Sequence, residues 1–280
     1  MECQYCHKEG ERGASRDYMT AEEIRKIIWL SASLGFSKVK ITGGEPLLRG
    51  DISDIVKQIR TIKGITDISM TTNGLLLAQK AEQLKEAGLD RVNVSLDTIN
   101  RGKYKLITGV DRVTDVLRGI DAAIEAGFNP VKINMVILKD INQDEIKPMI
   151  EWSRKKQVIL QLIELIPMGR LYEKYHVDLR ETERYLEQIS LKIIERELHK
   201  RKKYILDHNA EVEVVRPVHN TEFCANCTRL RVTSNGFLKP CLMRNDNLQD
   251  IITPLRKGAT DRQLIEIFKK AVELRRPYYM

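Results

Sequence analysis

Five cysteines carry the clearest chemical signal in this chain, and they stand near its two ends: Cys3 and Cys6 in MECQYCHKEG, then Cys224, Cys227 and Cys241 in FCANCTRLRVTSNGFLKPC. Thiolates at CxxC spacing with a distant third sulfur ligate metals or iron–sulfur clusters far more often than they form disulfides in an enzyme with no secretory signature. The odd total also argues against a closed disulfide framework. In Cys224-x2-Cys227-x13-Cys241 the Ser234-Asn235-Gly236 turn brings the chain back, so that the third sulfur can reach the first two. Three thiolates leave a fourth position open, which suits zinc with an exogenous ligand or a 4Fe-4S cluster with one bare iron. The pair Cys3 and Cys6 alone leaves zinc, redox and cluster chemistry open. His219 is available as a fourth zinc ligand, but its Pro-containing loop favours exposure.

Cations and glycines form the second signal. Lys38-Val39-Lys40-Ile41-Thr42-Gly43-Gly44-Glu45-Pro46 reads as a strand ending in a turn whose glycines permit close backbone approach, with Glu45 as an acceptor for an ammonium group. Arg229 and Arg231 alternate along the segment leaving Cys227, which on a strand puts both guanidinium forks on one face as a polyphosphate clamp. Lys38 and Lys40 alternate likewise, and Lys132 begins another apolar segment. A lysine facing the interior of a sheet or barrel is unusual without an anion beside it. The formal charge of +8 fits a polyanionic ligand, and with only 6% aromatic residues to stack bases a small anion is favoured over nucleic acid. The run His199–Lys203 (HKRKK) reads as a solvated helix end or connector.

The elements that must position these groups follow a βα rhythm. Apolar β-rich segments recur at Lys38–Ile41, Asp67–Thr71, Arg91–Leu96, Val131–Leu138 and Val158–Glu164, with helical segments between them. Thr20 and Glu23 spell a capping box ahead of Ile24, Ile27, Ile28 and Leu34, with Gly35 as the stop. Val113, Val116, Leu117, Ile120 and Ile124 form a helical stripe closed by Gly127, and Leu77, Ala81, Leu84 and Gly88 a shorter one. Beyond about residue 170 the pattern changes to a charged helix over 181–203, a strand at Glu211–Val215, a hairpin over Arg229–Lys239 and a helix from Asp261 to about Arg275 with Thr260 and Gln263 as its capping box. The expected fold is α/β, an incomplete TIM-type (β/α)6 barrel over residues 1–170 with an α+β iron–sulfur module over 171–280. Because a βα loop should follow a strand, the first barrel strand is expected upstream of Met1. Barrel βα loops gather on one face, which would bring Cys3–Cys6, Thr42–Pro46, Thr71–Gly74, Ser95–Asp97 and Asn134 to one mouth. No run of eighteen apolar residues appears, so no membrane contact is expected and cytoplasmic residence is the default.

CxxC at a barrel mouth followed by TGGEP resembles the radical S-adenosylmethionine superfamily, and FCxxCTRLRxTxxGxLxPC narrows the resemblance to the GTP 3′,8-cyclase family of molybdenum cofactor biosynthesis, in an archaeal-like, N-terminally truncated form. The resemblance runs from Met1 to about Arg276. It implies two 4Fe-4S clusters and S-adenosylmethionine as cofactors, with GTP cyclised to (8S)-3′,8-cyclo-7,8-dihydroguanosine 5′-triphosphate. It assigns Cys3 and Cys6 to the first cluster, whose remaining cysteine is expected two positions before Met1, and Cys224, Cys227 and Cys241 to the second, whose free iron would take the guanine. As written, the chain is expected to bind the first cluster poorly. Tyr5 through its backbone, Gly44, Ser95 and, with less support from its residue type, Ile166 are implied for S-adenosylmethionine. Lys40, Thr71, Lys132, Arg229 and Arg231 are implied for GTP, and Gln161 stands where some relatives carry a basic residue. No general base is nominated. The implied partners are a reductant, cyclic pyranopterin monophosphate synthase as the next enzyme, and a second copy of the chain in a homodimer. The rivals are a peptide-modifying enzyme of the same superfamily and a zinc-stabilised RNA-binding module.

Overall fold

A computed structural model describes residues 3–6, 18–168 and 171–279. Strand alternation decides its architecture. The strands β1 (Lys38–Ile41), β2 (Asp67–Thr72), β3 (Arg91–Ser95), β4 (Val131–Ile137) and β5 (Ile159–Glu164) lie side by side in parallel. One face carries Val39, Ile41, Ile68, Met70, Val92, Val94, Val131, Ile133, Met135, Leu160 and Leu162, all packed into the main core. A fully buried side chain of this kind contributes roughly 1.5–3 kcal/mol over its exposed state. The opposite face alternates to Lys40, Ser69, Thr71, Arg91, Asn93, Lys132, Asn134 and Gln161. Helices pack on the first face, and the second is the polar, concave inside of the partial barrel, where Ser69, Asn93, Lys132 and Gln161 are buried.

The connecting helices form where the spacing predicts. Thr20 caps α1 (Ala21–Ser33) in a two-way capping box with Glu23. The helices α2 (Ile52–Arg60), α3 (Leu77–Glu86), α4 (Arg101–Thr108), α5 (Val113–Glu125) and α6 (Ile146–Lys156) follow. Gly35, Gly88 and Gly127 take positive φ just beyond their helices, as expected for stops.

The segment beyond residue 170 departs from expectation in one place. After the short α7 (Tyr172–Tyr175), the predicted helix over 181–203 ends as α8 (Arg180–Ile189) and gives way to β6 (Lys192–Glu195) and β7 (Lys202–Ile205). The reason is local: Ile193, Ile194, Tyr204 and Ile205 are β-formers, and His199 and Lys200 take left-handed φ of 66° and 52° that no helix interior accepts. β7 pairs antiparallel with β8 (Glu211–Val215), which pairs parallel with β5, giving a sheet ordered β1-β2-β3-β4-β5-β8-β7-β6. A sixth parallel strand is thus β8, supplied by the C-terminal part; the strand expected upstream of Met1 lies outside the described residues.

A second, smaller sheet joins β9 (Arg231–Val232), β10 (Phe237–Lys239) and β11 (Gln249–Asp250), with α9 (Thr221–Ala225) before it and α10 (Ile252–Arg256) and α11 (Asp261–Glu273) after it. The Thr260–Gln263 capping box of α11 forms as expected. Leu238, Ile251, Ile252, Leu264, Phe268 and Ala271 share one core with Ile27 and Leu30 of α1. Ion pairs from Arg256 to Glu23 at 2.7 Å and from Lys26 to Asp261 at 2.6 Å fix the same contact. No helix among the described residues is long and apolar enough to cross a membrane.

The β9–β10 turn has no room for a side chain. Gly236 has φ of 79°, and a Cβ there would stand 2.3 Å from the Cβ of Ile252. Gly236→Ala is therefore expected to destabilise by about 1–3 kcal/mol through overpacking, more with the added backbone strain. A urea titration followed by circular dichroism measures it, and an unchanged midpoint would show that the hairpin moves freely against α10.

Candidate functional site

The loop carrying Cys3 and Cys6 docks on the barrel mouth through its own backbone and side chains. The Cys6 N–H donates to the Cys3 carbonyl at 3.0 Å, closing the CxxC turn, while Gln4 donates to Ile107 O at 3.1 Å and, through Nε2, to Leu106 O at 2.9 Å. The Tyr5 hydroxyl donates to Asp97 Oδ2 at 2.5 Å, and Asp97 Oδ1 accepts from Val136 N at 2.8 Å. Burial pushes the Asp97 carboxyl up to about 6 against these two bonds. Burial also pushes the Cys3 thiol up to about 12, helped by Asp97 and Cys6, so that a bound cation is needed to stabilise its thiolate. Asn142, fully buried, accepts from Leu138 N and donates to Asp97 O and Val136 O, locking the loop after β4 to the loop after β3.

Glu45 behaves otherwise than its motif suggests. Its carboxylate accepts from Leu47 N at 3.1 Å, Thr72 Oγ1 at 2.6 Å and Asn73 N at 2.6 Å, so it ties the β1 and β2 loops together instead of waiting for an ammonium group. Gly43 and Gly44 beside it remain open: a Cβ at either would meet nothing within 4 Å. Gly43 has φ of 130°, which reserves that position for glycine. Ser95 ends β3 opposite Asn134, Thr71 lies opposite Asn93, and Ile166 is half-buried beyond β5.

The inner face of the sheet is organised around Glu213 of β8, which is completely buried. Lys132 Nζ and Arg196 Nη1 each approach Glu213 Oε1 at 2.5 Å, Gln161 Nε2 donates to Oε2 at 2.6 Å, and Arg201 Nη1 lies 3.8 Å from Oε2. Desolvation works to raise the Glu213 carboxyl, yet these cations hold it down at about 2. Lys132, expected as a nucleotide contact, is thereby already paired within the protein. Lys40 faces the same concavity from β1. It reaches solvent, yet protein crowds it on most sides, and desolvation followed by repulsion from Arg229, Arg91, Lys132 and Arg201 pushes its ammonium down to about 7.

The second cysteine set sits on α9 and the hairpin. Cys224 and Cys227 close a turn through Cys227 N to Cys224 O at 3.3 Å, and Cys241 follows β10; all three thiols are free and half-buried. No three His, Cys, Asp or Glu groups among the described residues are gathered closely enough for a single metal ion. Three free thiols are the donor type that an iron–sulfur cluster takes. His219 is exposed against the Tyr279 ring at 5.0 Å, as its loop suggests. Arg231 lies on β9, but Arg229 precedes it, so strand alternation alone does not relate the two.

HKRKK proves to be a tight connector with buried members, correcting the expectation of a solvated run. His199 is 4% exposed and stacks on Phe223 at 3.8 Å, and its backbone N–H donates to Asn226 O at 2.9 Å, between Cys224 and Cys227. Desolvation and the guanidiniums of Arg229, Arg201, Arg231 and Arg275 push its imidazolium down to about 2, leaving it neutral. Arg196, Glu213 and Asn142 went unflagged, and His199 and Arg201 were read only as part of a solvated run, because their roles arise from partners far along the chain. The only local signal was Glu213 itself, a carboxylate alternating inward on an apolar strand.

Residues 1–153 match the family described as the radical SAM superfamily, and residues 158–280 the one described as molybdenum cofactor synthesis C. A probable GTP 3′,8-cyclase of Pyrococcus abyssi is 49% identical over 287 residues, spanning 100% of this chain and 92% of that protein. One of Methanothermobacter thermautotrophicus is 47% identical over 284 residues with the same coverage. Among solved structures, SuiB of Streptococcus suis bound to S-adenosylmethionine aligns with a TM-score of 0.67 at 18% identity, covering 90% of this chain and 60% of that one, a likeness of fold alone.

Glu213 sets an acid limb. Its folded carboxyl titrates near 2 against an ordinary 4.5, so its stabilisation is complete above about 4.5 and disappears as pH falls through about 2. That contribution is on the order of 3 kcal/mol. Glu213→Gln is expected to lower stability near neutrality by about 3–5 kcal/mol, because it leaves buried cations unpaired. It should also flatten the pH dependence between 5 and 2 in denaturant titrations; an unaltered acid slope would refute the assignment.

Proposed function

Because the chain belongs to the GTP 3′,8-cyclase family of radical S-adenosylmethionine enzymes, we propose that the polar concavity of its partial barrel and the adjoining hairpin module hold GTP for ring closure between ribose C3′ and guanine C8. The activity is the cyclisation of GTP to (8S)-3′,8-cyclo-7,8-dihydroguanosine 5′-triphosphate, the first step of molybdenum cofactor biosynthesis, with S-adenosylmethionine and 4Fe-4S clusters as cofactors. When bound, a cluster carrying S-adenosylmethionine supplies the one-electron chemistry that starts hydrogen abstraction at the ribose. The observation that carries the reading is the sheet's sidedness: an apolar face buried under helices and an inner face whose buried Lys132 and Arg201 gather with Arg196 round one carboxylate, with Lys40 reaching solvent beside them.

In this reading Cys3 and Cys6 hold the first cluster, and the Tyr5–Asp97 bond together with Gln4 fixes their loop on the mouth. The open backbone at Gly44 receives the amino group of S-adenosylmethionine, the Ser95 hydroxyl its carboxylate, and the Tyr5 backbone and Ile166 its adenine. Lys40, Arg229, Arg231 and Lys132 supply the charge that binds the triphosphate, and Thr71 a hydroxyl contact. Cys224, Cys227 and Cys241 hold the second cluster, whose unligated position takes the guanine. What the protein contributes is chiefly orientation, which converts an encounter into an intramolecular step. The division at about residue 170 then separates the part that holds S-adenosylmethionine from the part that holds the second cluster and the guanine, while the triphosphate draws on Lys40 and Lys132 before it and Arg229 and Arg231 after it.

The reaction needs an external electron donor, and its product requires a following enzyme, cyclic pyranopterin monophosphate synthase; both fit a cytoplasmic setting. A homodimer is supported by β6, the edge of the large sheet, where Ile193 is 43% exposed, with Leu191 just before it 77% exposed. Antiparallel pairing of Lys192-Ile193-Ile194-Glu195 with a second copy would set each lysine against a glutamate.

Anaerobic reconstitution should load iron and sulfide, and Cys227→Ala should lose the C-terminal share; zinc bound without iron would refute the cluster reading. GTP titration should show Arg229→Ala weakened about tenfold or more, the value of charge-assisted phosphate bonds. Lys202→Ala, which removes a cation paired with Glu187 at the sheet surface, should bind as wild type. Light scattering tests the dimer: Ile194→Asp should yield monomer, whereas a dimer that survives it is not built on β6.

A further inference from the structure

The Glu213 cluster is out of electrical balance. Lys132, Arg196 and Arg201 face one carboxylate, while the nearby Arg91 is already committed to Asp67 and Lys203 to Glu211 at 2.7 Å. Lys40 adds a further cation from β1. Lys132 and Arg201 are buried, whereas Arg196 is partly exposed and Lys40 reaches solvent, and two buried cations sharing one carboxylate are costly unless a further anion joins them.

Within the cluster Arg201 is the least satisfied. It is 8% exposed, its Nη1 reaches Glu213 Oε2 only at 3.8 Å, and its Nε has no hydrogen-bond partner. The neighbouring His199 Nδ1 is likewise buried without a partner. An arginine would ordinarily satisfy Nε when buried, because losing that bond leaves a desolvated donor. Backbone geometry holds it there: Arg196 N donates to Arg201 O at 2.9 Å, and the left-handed pair His199-Lys200 turns the connector immediately before it. Burial lowers the affinity of the Arg201 side chain for its proton, Glu213 opposing the effect, so a second anion would restore what burial removes.

We propose that Arg201 is a substrate-binding residue whose unpartnered Nε–H and adjacent terminal N–H donate to a phosphate oxygen of the nucleotide's triphosphate, with Glu213 as the positioning residue that holds Arg201, Arg196 and Lys132 ready for it. The inference rests on the GTP reading above and extends it to residues of the β6–β7 connector. Chemically, Glu213 keeps the cations from dispersing when no nucleotide is bound, and the triphosphate supplies the missing negative charge when it arrives. A planar guanidinium suits this task because Nε and one terminal nitrogen can bind a phosphate in parallel while the other terminal nitrogen stays toward the carboxylate.

Equilibrium binding of GTP, guanosine and inorganic tripolyphosphate to the full chain tests the assignment. Arg201→Met should weaken GTP and tripolyphosphate by the same factor, about tenfold to a hundredfold, and leave guanosine unchanged. Arg201→Lys, which keeps the charge but loses the fork, should fold as wild type and lose a few-fold on both phosphates, so the question stays answerable if the methionine variant does not fold. Lys202→Met is the control and should alter neither. If wild type binds tripolyphosphate and the Arg201 variants bind it equally well, the inference is overturned while the GTP reading stands. Wild type that binds neither GTP nor tripolyphosphate overturns both.

Discussion

A single buried carboxylate must satisfy several cations at once, and the inner architecture of this protein follows from that requirement. Glu213 on β8 receives Lys132 from β4, Gln161 from β5 and Arg196 from the β6–β7 connection, with Arg201 slightly farther away. These groups come from segments up to 81 residues apart. An unpaired charge in such a position would be driven to neutralise or to find water. Here the carboxylate stays ionised because cations surround it, and the cations tolerate burial because the carboxylate is present. The arrangement leaves positive charge in excess, which is the electrostatic condition for receiving a polyanion.

That polar interior is possible because the apolar core lies on one side of the sheet only. Val92, Ile133, Leu160 and Val212 face the helices and are fully buried, so the hydrophobic requirement is met without the inner face. The inner residues are then free to differ from the layers of branched aliphatic side chains that fill a closed barrel. The β8–β5 pairing lets the C-terminal part contribute Glu213 to this face, while α1 joins that part from the other side through Ile27 and Leu30. The helix that follows the CxxC loop therefore shares a core with the hairpin that precedes Cys241.

The mouth is held by short bonds between loops. Tyr5 to Asp97, Glu45 to Thr72 and Asn73, and Asn142 to Asp97 connect segments that are distant in the chain. Glu45 is instructive, because the TGGEP motif draws attention to it as a ligand contact. Its acceptors are instead filled by protein donors, and the space beside it belongs to the two glycines. A motif can mark a site through the residue that shapes a loop as well as through the one that touches the ligand.

Local pattern was enough for the parallel strands before residue 170, the capping boxes at Thr20 and Thr260 and the Ser234-Asn235-Gly236 turn, since each depends on residues within a few positions of one another. The family resemblance was equally legible, because it is carried by contiguous motifs. Between residues 190 and 205 local reading failed: charge and helix-forming residues suggested a continuing helix, but pairing with β8 and left-handed backbone at His199 and Lys200 prevailed. The same long-range pairing buried Arg201, committed Lys132 to Glu213 and made β8 a sixth parallel strand. Sequence by itself determined which segments alternate, where the thiols stand along the chain and where the chain turns, because those are properties of neighbours. Only the tertiary structure decided which cations share a carboxylate and which remain in excess, because charge balance in a low-dielectric interior is set by contacts between strands that the chain order does not reveal.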